Sequence, residues 1–305
     1  MRRGDVQRLL VALIGTVVVL LPSGTIAAAA LPPHSSAASF AGRTPQLPQG
    51  GTVILGHYRV VAFYGAVGGG RLGVLGSKPP GQIVDDIERR ARAWRRYGLP
   101  VQPAMELIVT VAQGSPGPDG SYSKAIPRSA LVPYLRVAHR RHLLLLLDFQ
   151  PGRAQFLDQV RRFRWVLTDP WVSVALDPEW KMGPHEIPAQ VIGHSLPGPI
   201  NDVRRYLSDL VVARHLPDKL LVVHQFRPQM LPHRELIKPG RGVEVVFHAD
   251  GFGTPRAKIA TWRRLALPKR PYGAGFKLFL RQDRPMMTPS AVMQRRPEPD
   301  LITYQ

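Results

Sequence analysis

A chain of 305 residues with a 44% apolar share has the composition of a globular protein with a sizeable core. The absence of cysteine excludes disulfides and attachment through a lipobox cysteine, so the fold must be held by packing alone. The formal charge of +20 favours contact with anionic polymers, although the basic residues are spread over several helices, as on an ordinary solvated surface.

The chain begins as a targeting segment. Arg2, Arg3 and Arg8 form a basic start, and residues 9–21 are apolar apart from Gly15 and Thr16. Pro22, Ser23 and Gly24 break that run, and residues 27–30 supply small side chains for cleavage. The run is shorter than the roughly 20 residues of a membrane span. A signal peptide over 1–30 is therefore expected, with secretion or association with the cell envelope; contact with the membrane is expected only through an uncleaved signal. Removing 1–30 takes away three arginines and Asp5, lowering the charge from +20 to +18. Residues 31–52 are rich in Pro, Ser, Ala and Gly without an apolar period and are expected to be a disordered spacer.

From residue 53 strand-like and helical runs alternate. Strands are expected near 58–64, 104–111, 143–149, 172–176, 219–225, 243–248, 275–280 and 300–304. The third, LLLLLDF, is almost continuously apolar, as a parallel strand buried on both faces must be. Helices are expected near 82–97, 127–142, 154–167, 200–214, 228–237, 255–265 and 289–294. In the first, Ile83, Ile87, Ala91 and Trp94 share one face, and Gly98 stops it. Gly65 to Gly76 reads as a flexible loop after the first strand, without the G-x-G-x-x-G of a dinucleotide fold. Eight strands with seven intervening helices predict an α/β fold, a parallel (β/α)8 TIM-type barrel lacking its eighth helix.

Such barrels carry function at the carboxyl ends of their strands. Those ends read Tyr64, Glu106, Asp148 with Gln150, Asp177 with Glu179 and Trp180, His224 with Gln225, His248 with Asp250, Lys277, and Tyr304. Acids or histidines end five successive strands, and buried ionisable groups are costly unless paired or used. In VSVALDPEW, Asp177 and Glu179 are two residues apart, which in extended backbone puts both carboxylates on one face.

Paired carboxylates beside an aromatic side chain and amides suit carbohydrate chemistry. Glu179 is the candidate acid, Asp177 tunes or orients it, and Glu106, Asp148 and Asp250 are candidate partners. Tyr64, Gln150, Trp180, His224, Gln225, His248, Lys277 and Tyr304 are candidate substrate contacts. The expected function is a glycoside-hydrolase-like action on, or binding to, cell-envelope carbohydrate or an anionic wall polymer. Two alternatives stand beside it: a non-catalytic wall-binding barrel, and a metal-dependent hydrolase using His224, His248 and Asp250. The leading reading needs no cofactor and no metal, expects no nucleic acid, and takes the protein as a monomer.

The run Leu176-Asp177-Pro178-Glu179-Trp180 resembles the end of the fourth-strand motif of chitinase-like barrels, in which Asp-x-Glu ends in the catalytic acid; Ala175 departs from that motif, which has a further acid there. The segments VVAFYG, AMELIVTVAQGSPGPDG, LLLLLDFQPGR, ALDPEWKMGP, QVIGH, KLLVVHQF, FHADGFG, GFKLF and PDLITYQ together resemble a family of exported and lipoprotein-like bacterial proteins. That resemblance implies a glycosidase-like barrel and no particular reaction. Many proteins of that family carry a lipobox cysteine, which this chain lacks.

Overall fold

The structure, a computed structural model, describes residues 45–267 and 271–305. The expected signal peptide and residues 31–44 of the expected spacer lie outside them.

The chain forms a closed parallel barrel. Its strands are β1 (Arg59–Ala66), β2 (Val101–Ala112), β4 (Leu144–Phe149), β5 (Val172–Leu176), β6 (Lys219–Gln225), β7 (Val243–Ala249), β8 (Gly273–Leu278) and β9 (Leu301–Tyr304). Neighbours pair in parallel from β2 through β9, β9 pairs with β1, and β1 pairs with β2 to close the ring. The short β3 (Ser123–Ala125) runs antiparallel on the end of β2 and is not a stave of the barrel.

Seven helices connect the strands: α1 (Pro80–Arg92), α2 (Arg128–Arg141), α3 (Phe156–Arg162), α4 (Arg164–Leu167), α5 (Pro197–Arg214), α6 (Pro255–Leu265) and α7 (Pro289–Met293). Proline at the first turn and a threonine cap start α6 and α7: Thr254 Oγ1 accepts from Ala257 N, and Thr288 Oγ1 from Ala291 N. Expected single elements are divided in two places. The helix expected over 154–167 is α3 and α4, separated by Phe163, and the helix expected over 228–237 is two 3-10 turns, Pro228–Met230 and Arg234–Leu236. No helix of the described residues is long and apolar enough to cross a membrane.

Side-chain parity divides the barrel into two cores. Outward residues such as Leu145, Leu147, Val174 and Leu221 pack with Leu131, Val160, Ile200 and Leu207 of the helices. Inward residues Val60, Ala62, Leu144, Leu146, Ala175, Val222 and Val246 fill the lower half of the interior. Leu47 and Ile54 join that inner core. The last part of the expected spacer, 45–52, is therefore a packed turn (Leu47 N to Gly51 O, 2.9 Å) that stops the amino-terminal end of the barrel. On the outer face of β9, Trp94, just past α1, donates to Tyr304 Oη at 3.1 Å.

The glycine-rich loop after β1 also differs from expectation. It closes as two 3-10 turns, Gly70–Leu72 and Val74–Ser77, laid directly on the strand end. A Cβ on Gly73, whose φ is +113°, would lie 2.3 Å from the Tyr64 carbonyl oxygen, so only glycine fits there.

Candidate functional site

The inward parity that fills the lower barrel with apolar groups fills its carboxyl end with polar ones. Tyr64 on β1, Glu106 on β2, Asp148 on β4, Asp177 after β5, His224 on β6, His248 on β7 and Lys277 on β8 all continue the inward rows, with Asp250 just past β7. All are buried, Glu106, Asp148, His224 and His248 at 0% exposure.

Two chains of contacts hold the cluster. Glu106 Oε1 meets His224 Nε2 at 2.8 Å, His224 Nδ1 meets Asp250 Oδ2 at 3.0 Å, and Lys277 Nζ donates to the same oxygen at 3.0 Å. Thr303 Oγ1 donates to the other Glu106 oxygen at 3.1 Å. In the second chain, Gln150 Nε2 donates to Tyr64 Oη at 3.3 Å, and Tyr64 Oη donates to Asp148 Oδ2 at 2.9 Å. Lys277 ties the two together, because its ammonium sits 3.7 Å from the centre of the Tyr64 ring. His248 lies against His224, ring centres 4.9 Å apart, and against Gly275, where any Cβ would come within 2.2 Å of His248 Nδ1.

Charge is sorted among these groups by burial and neighbours. Burial would raise Glu106, but the charge of His224 and its hydrogen bond hold it below the usual glutamate range. Burial likewise opposes ionisation of Asp250, yet Lys277 and His224 hold it well below the usual range. His224 is raised despite burial by Glu106 and by its bond to Asp250, and Lys277 is raised by Asp250 against the same desolvation. His248 goes the other way: burial and the charge on His224 lower it to about 3, so it is neutral. Burial, then Asp177, push Asp148 well above the carboxylate range; burial, with Asp250, lifts Asp177 to about 6. Burial first, then Asp177 and Asp250, raise Glu179 as well. Burial and the neighbouring carboxylates thus favour the protonated forms of Asp148 and Glu179, while Asp177, at about 6, is mostly ionised at pH 7 and joins Glu106 and Asp250 as carboxylates facing the cations His224 and Lys277.

The Asp177–Glu179 pair is not built as extended backbone. The strand ends at Leu176, and Pro178–Trp180 is a 3-10 turn. Trp180 N donates to Asp177 O at 3.1 Å, and Gly193 N donates to Glu179 O at 2.7 Å. Asp177 points inward by parity with Ser173 and Ala175, whereas Glu179 alone among the clustered acids keeps part of its surface exposed.

Three expected contacts lie elsewhere. Tyr304 has outward parity, bonds Trp94, and carries the Arg90 guanidinium over its ring at 4.9 Å; burial pushes its hydroxyl to about 12. Gln225 also faces outward, where it donates to Arg227 O and accepts from Arg234. Trp180 packs against Ala112 and Ala189 and not within the cluster. Thr303 and Gly275, by contrast, belong to the cluster and were missed by reading only the last residue of each strand. For Thr303 the period-2 pattern from Leu301 was the available signal.

Five buried atoms in the cluster have no protein partner: one Oδ each of Asp148, Asp177 and Asp250, and both ring nitrogens of His248. Buried polar groups are normally satisfied by protein or by ordered water, so these atoms are open to water or to a bound molecule. Among the described residues no group of three or more His, Asp or Glu side chains is arranged to hold a metal ion. His224, one of the three residues named for such a site, spends both ring nitrogens on carboxylates. Searches against protein-family models, curated proteins and solved structures find no match for this chain.

Proposed function

We propose that the barrel is an exported glycoside hydrolase of cell-envelope carbohydrate, with Glu179 as its acid. The observation that carries this reading is the pairing at the end of β5. Glu179, partly exposed and pushed toward its protonated form by burial and by Asp177 and Asp250, follows two residues after the buried Asp177, which at about 6 is mostly ionised at neutral pH. Two carboxyl groups in opposite protonation states are what glycosidic cleavage requires. Glu179 gives its proton to the glycosidic oxygen as the bond to the anomeric carbon breaks. The Asp177 carboxylate stabilises the positive charge that develops on the sugar ring, and water supplies the hydroxyl of the product while its other proton returns to the Glu179 carboxylate. His248 and the free oxygen of Asp148 offer hydrogen bonds to sugar hydroxyls.

A second reading, a non-catalytic wall-binding barrel, is favoured by how many acids are already neutralised by the protein itself. Glu106 and Asp250 are bound by His224, Lys277 and Thr303 at three of their four oxygens, which leaves Asp250 Oδ1 without a protein partner. The test is release of new reducing ends from purified bacterial wall glycans by the wild type and by Glu179→Gln. Hydrolysis is expected for the wild type, with loss of about 100-fold or more in the variant if the acid is removed. Binding without product, equal in both proteins, would sink the hydrolase reading and leave the binder.

A further inference from the structure

A second feature lies at the opposite end of the barrel. A cavity of about 400 Å³ opens between the ends of α1 and α2 and the first residues of β2. Arg92, Arg95 and Arg141 line it, with Glu88, His142 and Gln49. Arg141 is paired, through Nε and Nη2 to Glu88 at 3.0 and 2.7 Å, and to Asp85 at 2.9 Å. His142 Nδ1 is engaged with the Pro48 carbonyl at 3.1 Å. Arg92 and Arg95 have no acidic partner among the described residues. The segments outside the description offer little to neutralise them, since residues 1–44 contain one acid, Asp5, and 268–270 contain none. Counting the lining arginines against Glu88, three less one leave +2.

The chain also enters the barrel at this face. Gln49 lines the cavity and donates to Val101 O at 2.8 Å, and Trp171 Nε1 donates to Gln46 O at 2.9 Å. The described chain thus begins at this face, and the apolar run 9–21 lies upstream of it in the sequence. Arginine forks match phosphate oxygens in pairs, and a cavity this large admits more than a bare ion.

We propose that this amino-terminal cavity binds the phosphate-ester headgroup of an anionic phospholipid, holding the barrel with its opposite, carboxyl-terminal mouth turned away from the membrane. Arg92 and Arg95 supply the charge-assisted donors, and Arg141, fixed by Glu88, lines the wall. The site is separate from the acid cluster and does not rest on the hydrolase reading.

The test uses the full chain, so that any contribution of residues 1–44 is common to all proteins compared. Sedimentation with phosphatidylglycerol-containing vesicles and with neutral phosphatidylcholine vesicles would be measured for the wild type, for Arg92→Gln/Arg95→Gln, and for a charge-matched control on α6, Arg263→Gln/Arg264→Gln. The cavity variant is expected to bind anionic vesicles about 25-fold more weakly, each basic side chain near such a surface contributing a factor of about five. The control is expected to keep wild-type binding, and none of the three to differ on neutral vesicles. A parallel titration with soluble glycerol 3-phosphate separates the sources: saturable binding lost in the cavity variant assigns the site to phosphate esters at large, and no binding alongside vesicle binding assigns it to the membrane headgroup. Equal vesicle binding by wild type and cavity variant, or an equal loss in the control, overturns the proposal.

Discussion

Lys277→Met tests whether the interior is a charge-balanced cluster. The ammonium is 2% exposed, 3.0 Å from Asp250 Oδ2 and 3.7 Å from the Tyr64 ring centre. At that separation and an effective dielectric near 20, the attraction to Asp250 is about 5 kcal/mol. Methionine keeps the volume but leaves three carboxylates facing His224 alone. Removing one member of a buried pair costs ~3–5 kcal/mol, because the other is left charged and dry. The measurement is urea unfolding at pH 7 and pH 5. With the cation gone, Asp177, already raised to about 6, holds its proton still more tightly in the folded state than in the unfolded one. The folded variant therefore takes up protons first as pH falls, and its deficit against wild type must shrink between pH 7 and pH 5. Lys277→Met/Asp250→Asn removes both charges and is expected to recover ~2 kcal/mol relative to the single variant. A loss below about 1 kcal/mol for Lys277→Met, the same at both pH values, would refute the account of a dry, charge-coupled interior.

Further expectations follow from single contacts. Gly275→Ala puts a methyl group 2.2 Å from His248 Nδ1 and 3.2 Å from its Cα, so the ring must move; the cost is ~1–3 kcal/mol in chemical unfolding, and an unchanged stability would mean the two strands part freely there. Glu244, at the amino-terminal end, accepts from Ile54 N at 2.7 Å and from Leu55 N, and burial pushes it to about 7. Its folded value lies above the ordinary 4.5, so the folded state holds the proton through that window and stability falls as pH rises from about 4.5 to about 7. Glu244→Gln is expected to flatten that part of a Tm-versus-pH curve; an unchanged slope would assign it to other groups. Tyr304→Phe removes the hydroxyl that accepts from Trp94 and should cost about 1 kcal/mol while leaving glycan binding and turnover as in the wild type. A specific loss of turnover would put Tyr304 back in the site.

The barrel was legible because parallel strands buried on both faces read as unbroken apolar runs, and all eight were found within a few residues of their bounds. What could not be read has physical reasons. β3 is three residues long and half exposed, so it has no periodicity to detect. The amino-terminal stopper depends on Leu47 and Ile54, two apolar side chains in a stretch whose composition is that of a spacer. In the connection from β6 to β7, Glu235 stands four residues after Leu231, a helical spacing, yet the left-handed His233 (φ 55°) between them breaks the stretch into two 3-10 turns.

The site shows where reading strand ends succeeds and where it needs a second rule. The end of a strand fixes a residue's height in the barrel, and period-2 parity fixes its face. Height alone puts Tyr304 and Gln225 level with the cluster, but parity turns both outward, toward Trp94 and Arg234. The same parity, followed back from each strand end, selects Thr303 beside Glu106 and His224 beside Asp250. Asp177 obeys it as the inward continuation of Ser173 and Ala175. Glu179 escapes it, because Pro178 ends the strand and a 3-10 turn replaces the pleat. That escape leaves Glu179 partly exposed at the mouth while Asp177 is buried below it, a division between the two acids that an extended pair on one face would not have produced.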